Sequence, residues 1–371
     1  MKWVFFLSVA LIAYTYLAYP LLLFVRSKFR LRPIHREPIE PSVSVVIAMH
    51  NEADALHHKL QNLAELDYPR EKLEIIIVSD GSADGTYELL ANSPIPVERI
   101  CLPTQQGKAV ALNHGVQRAT GEIVVFMDTR QRVLPLALRS LVSGFADLSV
   151  GAVSGELLLE DPQKTERGYE LNVYWRIEKL VRKLESETQS AVGATGALYA
   201  VRRQLIPPLP PATVLDDVFI PMNVVKQGYR VVFDDEAMVV DRVFPDVRVE
   251  FRRKVRTLMG NYQLLHLEPW LLTFDNKLLW EFVSHKLLRL VVPFALLGAF
   301  IGSWGMAGSG FGRVMFVAQV AFYFLALIGM ARPVRASIRA SGVAFSFALL
   351  NTAAVVGLLK FLAGKNDVWA R

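Results

Sequence analysis

An apolar run near the start of the chain, Trp3 to Val25, is the feature that most constrains what this sequence can fold into. The run contains no acidic and no basic side chain, and about 20 such residues suffice for a helix to cross a bilayer. A cleaved signal peptide has a shorter apolar core of about 7–15 residues. The run therefore predicts a transmembrane helix over residues 1–25, with a signal peptide as the less favoured alternative.

Three further apolar stretches close the chain, near Leu287–Trp304, Val314–Met330 and Val343–Phe361. Together with the first run, they raise the hydrophobic share of the sequence to 52%. They predict three membrane segments over residues 286–363, followed by a tail at 364–371. Residues 26–285 lie between the two apolar ends with an ordinary charge density, which predicts one sizeable domain there.

Basic residues beside the apolar stretches predict the orientation of the chain in a membrane. Four of them follow the first stretch at once, whereas Lys2 alone precedes it: Arg26, Lys28, Arg30 and Arg32. Because basic residues favour the cytoplasmic side, the main domain is expected in the cytoplasm and the N-terminus outside. The loop between the last two stretches agrees, with Arg332, Arg335 and Arg339. If the last stretch spans, three basic residues conflict with this orientation: Lys360, Lys365 and Arg371.

Charge and cysteine content narrow the possible partners of the chain. The formal net charge is +6, but the basic residues cluster beside the membrane segments rather than on the central domain. This distribution favours a membrane surface over nucleic acid as the partner. Cys101 is the single cysteine, so there is no internal disulfide, and a reducing compartment is expected for the domain.

The first half of the central domain alternates short β-branched runs with helical patterns. The expected strands are Val43–Ala48, Leu73–Asp80, Val97–Leu102 and Ile123–Asp128. The expected helices are Glu52–Leu66, Ala83–Ala91, Lys108–Arg118 and one from about Leu136. This alternation predicts an α/β fold with a mostly parallel sheet, over residues 42–245, behind a linker at 26–41. Ligands bind such sheets beyond the carboxyl ends of the strands.

The second half of the domain is more varied. A strand is expected at Val150–Leu159, a long helix at Thr165–Leu184, and strands within Tyr229–Val240. Val247 to about Leu267 is a basic amphipathic pattern just before the apolar stretches. Helices of that kind lie in the membrane interface, so residues 246–285 are expected to form an interfacial helix and its connection.

Two adjacent carboxylates, Asp216 and Asp217, open a predicted helix within Leu215–Gly228, directly after a proline-rich run. Acidic residues at a helix entrance are ordinary capping residues, because they accept hydrogen bonds from the free backbone N–H groups there. The alternative is a catalytic pair, in which one carboxylate raises the pKa of the other and makes it a proton acceptor. The two residues alone do not decide between these alternatives.

The stretch IAMHNEADALHHKLQNLAELDYPREKLEIIIVSDGSADGT resembles the start of a family 2 glycosyltransferase. The resemblance extends over about Ser42 to Leu265, and the flanking membrane segments resemble the membrane-bound branch related to bacterial polysaccharide synthases. It implies a GT-A fold, which is Rossmann-like, and a nucleotide-sugar donor, most simply a UDP-sugar.

The resemblance also implies which residues hold the donor. Glu52 would contact the uracil and ribose, and Asp80 would accept hydrogen bonds from the base. Lys108, in QQGKAVALNHG, would approach the nucleotide or its phosphates. The chain has neither the Walker A pattern nor G-x-G-x-x-G, so the sequence gives no support to a P-loop or nicotinamide-binding site.

Asp128 falls at the position of the family's D-x-D motif, which holds Mg²⁺ or Mn²⁺ against the diphosphate. Here the motif reads Asp128-Thr129-Arg130, so a guanidinium replaces the second acid. Asp128 remains the expected metal ligand. Arg130 is expected to neutralise phosphate charge directly.

The same resemblance implies the catalytic and acceptor-side residues. Thr195 and Gly196 match the acceptor-side loop, and Asp216-Asp217 matches the acidic pair in which Asp217 is the general base. Arg256 keeps the arginine of the family's Q-x-x-R-W motif and would stabilise the leaving group, although the Gln and Trp are lost. Headgroup binding is the alternative role for Arg256, because the whole helix is basic.

Taken together, the resemblance implies an inverting glycosyltransferase of the bacterial inner membrane, with its catalytic domain in the cytoplasm. The acceptor would be a growing polysaccharide or a lipid-linked saccharide, with partner subunits for export. One alternative is the transfer of a single sugar to polyprenyl phosphate. The other is an inactive scaffold that binds a nucleotide sugar, which the altered D-x-D motif favours and the intact Asp217 opposes.

Overall fold

The computed structural model of the chain describes residues 1–160, 166–242, 246–331, 335 and 338–364. The side chains of residues 166–175 and 339 are not described. Three of the basic residues used to predict the orientation lie outside the described residues: Arg332, Lys365 and Arg371.

A single mixed sheet of eight strands forms the centre of the described domain. The strands are β1 (Val43–Met49), β2 (Leu73–Asp80), β3 (Glu98–Leu102), β4 (Ile123–Met127), β5 (Arg132–Val133), β6 (Val150–Glu160), β7 (Leu198–Arg202) and β8 (Arg230–Arg242). Their order is β3-β2-β1-β4-β7-β6-β8-β5. The first four in that order run parallel, β7 is antiparallel to both neighbours, β6 and β8 are parallel, and β5 is antiparallel to β8. The prediction of a mostly parallel sheet is confirmed.

The sheet is covered on both faces, as continuous apolar strands require. Every residue of β1 and β4 is buried. Successive residues of β1 enter opposite core clusters: Val46 and Ala48 pack on one face, and Val45 and Ile47 on the other. This alternation follows from the two-residue repeat of a strand.

The helices follow the sequence pattern closely. They are α1 (Lys2–Phe29), α2 (Ala53–Ala64), α3 (Thr86–Ala91), α4 (Lys108–Arg118), α5 (Ala137–Ser143), α6 (Glu166–Thr188), α7 (Asp216–Lys226), α8 (Val247–Leu267), α9 (Leu279–Trp304), α10 (Gly310–Ile328) and α11 (Arg339–Leu362). The predicted bounds of α4 and α8 are confirmed. By contrast, α9 begins well before the predicted apolar stretch, at Leu279 rather than Leu287.

Helix α3 also starts later than predicted, at Thr86 instead of Ala83. The side chain of Asp84 explains the delay, because it accepts hydrogen bonds from the backbone N–H groups of Ala53 and Thr86 at 3.0 and 3.2 Å. These contacts hold the preceding residues as a loop that joins the end of β2 to the start of α2.

Four described helices are long and apolar enough to cross a membrane: α1, α9, α10 and the Ala340–Leu362 part of α11. Small residues permit close packing between two of them. A Cβ atom on Gly302 of α9 would lie 2.8 Å from the backbone nitrogen of Phe5 in α1. Helix α8 packs directly on α11, since a Cβ on Gly357 would lie 2.9 Å from the nitrogen of Met259. The domain is thereby joined to the membrane helices along α8.

Candidate active site

A cleft with a volume of about 480 Å³ lies where the sheet meets α7, α8 and α9. We call one wall the sheet side, formed by Glu52, Lys108, Asp128 and Arg130, and the opposite wall the helix side, formed by Arg182, His285, Lys286 and Arg289. Helix α8 contributes Arg253, Lys254 and Arg256. Eight residues that the sequence indicated line the cleft together: Glu52, Lys108, Asp128, Arg130, Thr195, Gly196, Asp217 and Arg256.

Lys108 forms ion pairs with two aspartates, Asp128 and Asp216. It opens α4, and its Nζ lies 3.2 Å from Asp128 Oδ1 and 3.2 Å from Asp216 Oδ1. Burial opposes the charged form, but Asp128 and Asp216 outweigh it and raise the pKa of Lys108. The ammonium therefore stays protonated and ties the end of β4 to the start of α7.

Asp80, the predicted partner of a nucleotide base, is not among the residues that line the cleft. Its side chain is fully buried, and its two carboxylate oxygens accept the backbone N–H groups of Gln106 and Gly107 at 2.7 and 2.8 Å. The neighbouring Gly81 has a φ of 62°, and a Cβ there would collide with the backbone nitrogen of Gln105. Asp80 thus fixes the loop that delivers Lys108.

Arg130 is held by an acid from a distant part of the chain. Its Nη2 lies 2.7 Å from Asp241 Oδ2, and its Nε donates to Asp241 Oδ1 at 3.2 Å. Asp241 lies near the end of β8 and also lines the cleft. The guanidinium that replaces the second acid of the D-x-D motif is therefore paired with an aspartate across the sheet.

Two residues of α2 that the sequence did not indicate support the loop after Asp128. Lys59 Nζ donates to the carbonyl of Gln131 at 2.8 Å. Asn62 donates to the carbonyl of Val133 at 2.7 Å and accepts from its N–H at 2.8 Å. Burial lowers the pKa of Lys59 to about 8, against the opposing effect of Asp128 and Glu52. Lys59 and Asn62 are a polar pair on the otherwise apolar face of a predicted helix, and this pattern could have indicated them.

The adjacent carboxylates occupy different environments. Asp216 is buried, pairs with Lys108, and accepts a hydrogen bond from the hydroxyl of Tyr199 at 3.1 Å. Asp217 faces the cleft. Burial and the neighbouring Asp216 raise the pKa of Asp217 to about 6, against the opposing charges of Lys108 and Lys286. A carboxylate with such a pKa can accept a proton near neutral pH.

The loop before β7 fits tightly around Asp217. The N–H of Ala194 donates to the backbone carbonyl of Asp217 at 2.7 Å. A Cβ on Gly196 would lie 2.9 Å from Asp217 Oδ2, so the close approach requires glycine at this position. Thr195 is buried, and its hydroxyl accepts a hydrogen bond from Arg182 at 2.8 Å. The two predicted acceptor-side residues thus sit directly beside the candidate base.

The helix side contains a charged network that the sequence analysis missed. His285 is buried and lies 3.0 Å from Glu178 and 2.8 Å from Glu185. Arg182 and Arg289 contact the same Glu178 at 3.3 and 2.7 Å. The apolar stretch was predicted to start after His285. Ionisable side chains at the head of an apolar span were the signal for these residues, because such side chains are rarely without a function.

The sheet side offers few protein ligands to a divalent cation. Among the residues that the structure describes, no group of three or more His, Cys, Asp or Glu side chains is arranged to hold a metal ion. Asp128 keeps 38% of its side chain exposed to solvent. Mg²⁺ is commonly bound through one or two carboxylates together with substrate phosphates. The residues present therefore fit a cation shared between Asp128 and a bound diphosphate.

Comparisons with known proteins agree with this geometry. Residues 44–207 match the family described as Glycosyl transferase family 2. The chain is 26% identical over 236 residues to the "Probable glycosyltransferase YdaM" of Bacillus subtilis, and 24% identical over 229 residues to a poly-beta-1,6-N-acetyl-D-glucosamine synthase of Staphylococcus aureus. Each alignment covers 60% of this chain and 55% of the relative. The chain thus spans about half the length of these curated relatives.

A solved structure of similar fold is the mannosyltransferase PcManGT from Pyrobaculum calidifontis, in complex with GDP-Man and Mn²⁺. The likeness covers 98% of this chain and 99% of that one, with a TM-score of 0.74 and 24% sequence identity. The predicted GT-A fold with flanking apolar helices is confirmed.

Residues 44–207 are a Glycosyl transferase family 2 domain, and they make up less than half of the chain. The relatives of the chain include a bacterial polysaccharide synthase, and four of the described helices are apolar enough to cross a membrane. The predicted resemblance to family 2 glycosyltransferases is confirmed over these residues.

Proposed function

We propose that the protein transfers a sugar from a nucleoside diphosphate sugar to a growing polysaccharide or a lipid-linked saccharide, with inversion at the anomeric carbon. One observation carries this proposal: Asp217, a carboxylate with a pKa raised to about 6, faces the same cleft as Lys108 and the basic side of α8. A proton acceptor and several phosphate-binding cations in one cleft are what such a transfer requires.

In the proposed step, Asp217 removes the proton from an acceptor hydroxyl as its oxygen attacks the anomeric carbon. The bond between that carbon and the diphosphate oxygen breaks on the opposite face, and the nucleoside diphosphate leaves. A single displacement of this kind inverts the configuration. Asp216 contributes by keeping the pKa of Asp217 raised, and Lys108 is paired with Asp216 at 3.2 Å.

The donor side of the proposal rests on the sheet side and on α8. Glu52 would hold the base and ribose, which the sequence resemblance makes most simply uridine. Lys108 and Arg256 would contact the diphosphate, and Arg256 would stabilise the charge that develops on the leaving group. Asp80 would act indirectly, by positioning the loop before Lys108.

A divalent cation, Mg²⁺ or Mn²⁺, would complete this side. Asp128 would hold it together with the diphosphate, and the bound cation would neutralise phosphate charge during transfer. The solved PcManGT complex holds Mn²⁺ as well as GDP-Man, which supports the use of a cation in this fold. Arg130 would act nearby as a fixed positive charge, held in place by Asp241.

The acceptor would enter beside Thr195 and Gly196, which lie against Asp217. The polysaccharide synthase among the relatives supports a saccharide acceptor. The basic residues in the last turn of α1 and just after it support a catalytic domain in the cytoplasm, at the inner membrane of a bacterium. Export of a polymer would require partner subunits.

The test is a transfer assay with the full-length protein in membranes. Labelled UDP- and GDP-sugars are supplied one at a time, and label is followed into lipid-extractable and polymeric products. We expect one donor to give a product whose new linkage has the opposite anomeric configuration to the donor. A product of retained configuration would contradict the single displacement. Saturable donor binding with no transfer from any donor would favour an inactive scaffold.

A further inference from the structure

Lys286, on the helix side of the cleft, carries a positive charge that the surrounding protein leaves unpaired. Across the described part of the chain, no side chain or carbonyl makes a hydrogen bond or an ion pair with it. Lys108, on the sheet side, contacts two aspartates. The two lysines of the cleft therefore differ, because the described structure supplies carboxylate partners for Lys108 and none for Lys286.

The acids near Lys286 are already engaged. Glu178 accepts contacts from Arg182, His285 and Arg289, and Glu185 is bonded to His285 and to the hydroxyl of Tyr19 at 2.6 Å. An ammonium that has no hydrogen-bonded carboxylate is costly to withdraw from water. A ligand that supplies negative charge would offset this cost.

Arg182 and Arg289 line the same wall and remain partly accessible, with 15% and 21% of their side chains exposed. Each guanidinium carries five N–H groups, and Arg182 also donates to the hydroxyl of Thr195 at 2.8 Å. Lys286 lines the cleft together with these two arginines. A tetrahedral phosphate with several acceptor oxygens suits such a site.

The position of Lys286 along α9 places this site at the level of lipid headgroups. The helix has 26 residues, so it is about 39 Å long, whereas the hydrocarbon core of a bilayer is about 30 Å thick. The ionisable residues of α9 all precede Leu290, and Leu290–Trp304 contains none. Counted back from Trp304, the about 20 residues that cross the hydrocarbon core reach His285, so Lys286 lies at the edge of the core.

We infer that Lys286, with Arg182 and Arg289, binds the phosphate of a lipid-linked acceptor and so brings its reacting group to Asp217. This inference rests on the proposed function and narrows its acceptor from saccharides in general to those carried on a phosphorylated lipid. Asp217 lies within the electrostatic reach of both Lys108 and Lys286. Asp217, Lys108 and Lys286 line the same cleft.

The experiment measures binding of a long-chain polyprenyl phosphate to the full-length protein in phosphatidylcholine nanodiscs. The neutral polyprenol of the same length and inorganic phosphate serve as comparison probes. We expect the polyprenyl phosphate to bind saturably, and Lys286→Gln to weaken its binding at least about tenfold, as the loss of a hydrogen bond to a charged group implies. Lys286→Arg should restore most of the affinity.

Lys183→Gln is the matched control, because Lys183 lies on α6 outside the cleft and pairs with Asp235 at 2.8 Å. It should leave lipid binding unchanged. Equal binding of polyprenol and polyprenyl phosphate, or unchanged binding by Lys286→Gln, would overturn the inference. If inorganic phosphate displaces polyprenyl phosphate at a similar concentration, the site binds anions without recognising the lipid. That result would overturn the inference that the bound phosphate belongs to a lipid. Binding of nucleotide sugar, measured on the same samples, reports on the proposed function separately.

Discussion

The two walls of the cleft are built in different ways. On the sheet side, Lys108 is matched by Asp128 and Asp216, and Arg130 is matched by Asp241. On the helix side, two guanidiniums and the imidazole of His285 converge on Glu178, and Lys286 has no ion-pair partner in the described structure. On the sheet side, the carboxylates of the protein pair with Lys108 and Arg130. On the helix side, no carboxylate of the described structure forms an ion pair with Lys286.

This difference suggests a division of labour. The sheet side is assembled from strand ends and the start of α4, which the strand pairing of the first half of the domain brings together. The helix side joins α6 to the membrane helix α9. We propose that the first wall serves the donor, and that the second wall adapts the enzyme to its acceptor.

Removing divalent cations is expected to have a large effect on the donor side of this comparison. If a cation on Asp128 neutralises the donor diphosphate, EDTA should slow transfer by about 10²–10³-fold, the scale for losing one strong electrostatic group. Added Mg²⁺ or Mn²⁺ should restore the rate in the transfer assay. Full activity in EDTA would mean that Lys108 and Arg130 neutralise the diphosphate without a metal ion.

A smaller effect is expected from Gly196→Ala, which acts on the acceptor side of the base. The added methyl group would meet Asp217 Oδ2 at 2.9 Å, and a displaced catalytic group costs on the order of 100-fold in kcat. Donor binding should stay unchanged, which a titration with the nucleotide sugar would check.

Gly193→Ala is the control for that substitution. Its methyl group would meet only Val218 and the backbone oxygen of Asp217, at 3.3 and 3.4 Å, so most of the activity should remain. Equal losses of kcat in both variants would show that the loop as a whole, rather than the carboxylate position, had been disturbed.

The sheet side could be predicted well because its residues follow local patterns. Strand β2 and helix α4 have the bounds that the sequence predicted, and both depend on apolar periodicity and on flanking turn residues. The carboxyl ends of parallel strands meet at one edge. The convergence of Glu52 and Asp128 therefore followed from the pattern alone.

The remaining features depend on contacts between distant parts of the chain. Asp80 was expected to face a ligand, but it bonds two backbone N–H groups of the loop before α4. Strand β5 has two residues and exists only by pairing with β8. The helix side brings Glu178 to His285 across more than a hundred residues of sequence. No local pattern encodes such pairings.

The measurement that tests the central claim most directly is the transfer rate between pH 5 and pH 8, for the wild type beside Asp217→Asn. Because Asp217 must be deprotonated to act as base, and its pKa is raised to about 6, the wild-type rate should level off above pH 6. Below that value it should fall about tenfold per pH unit. Asp217→Asn should be slower by about 10²–10⁴-fold throughout, with donor binding retained. A variant that keeps the wild-type rate, or a wild-type rate that stays flat down to pH 5, would contradict the assignment of Asp217 as the base.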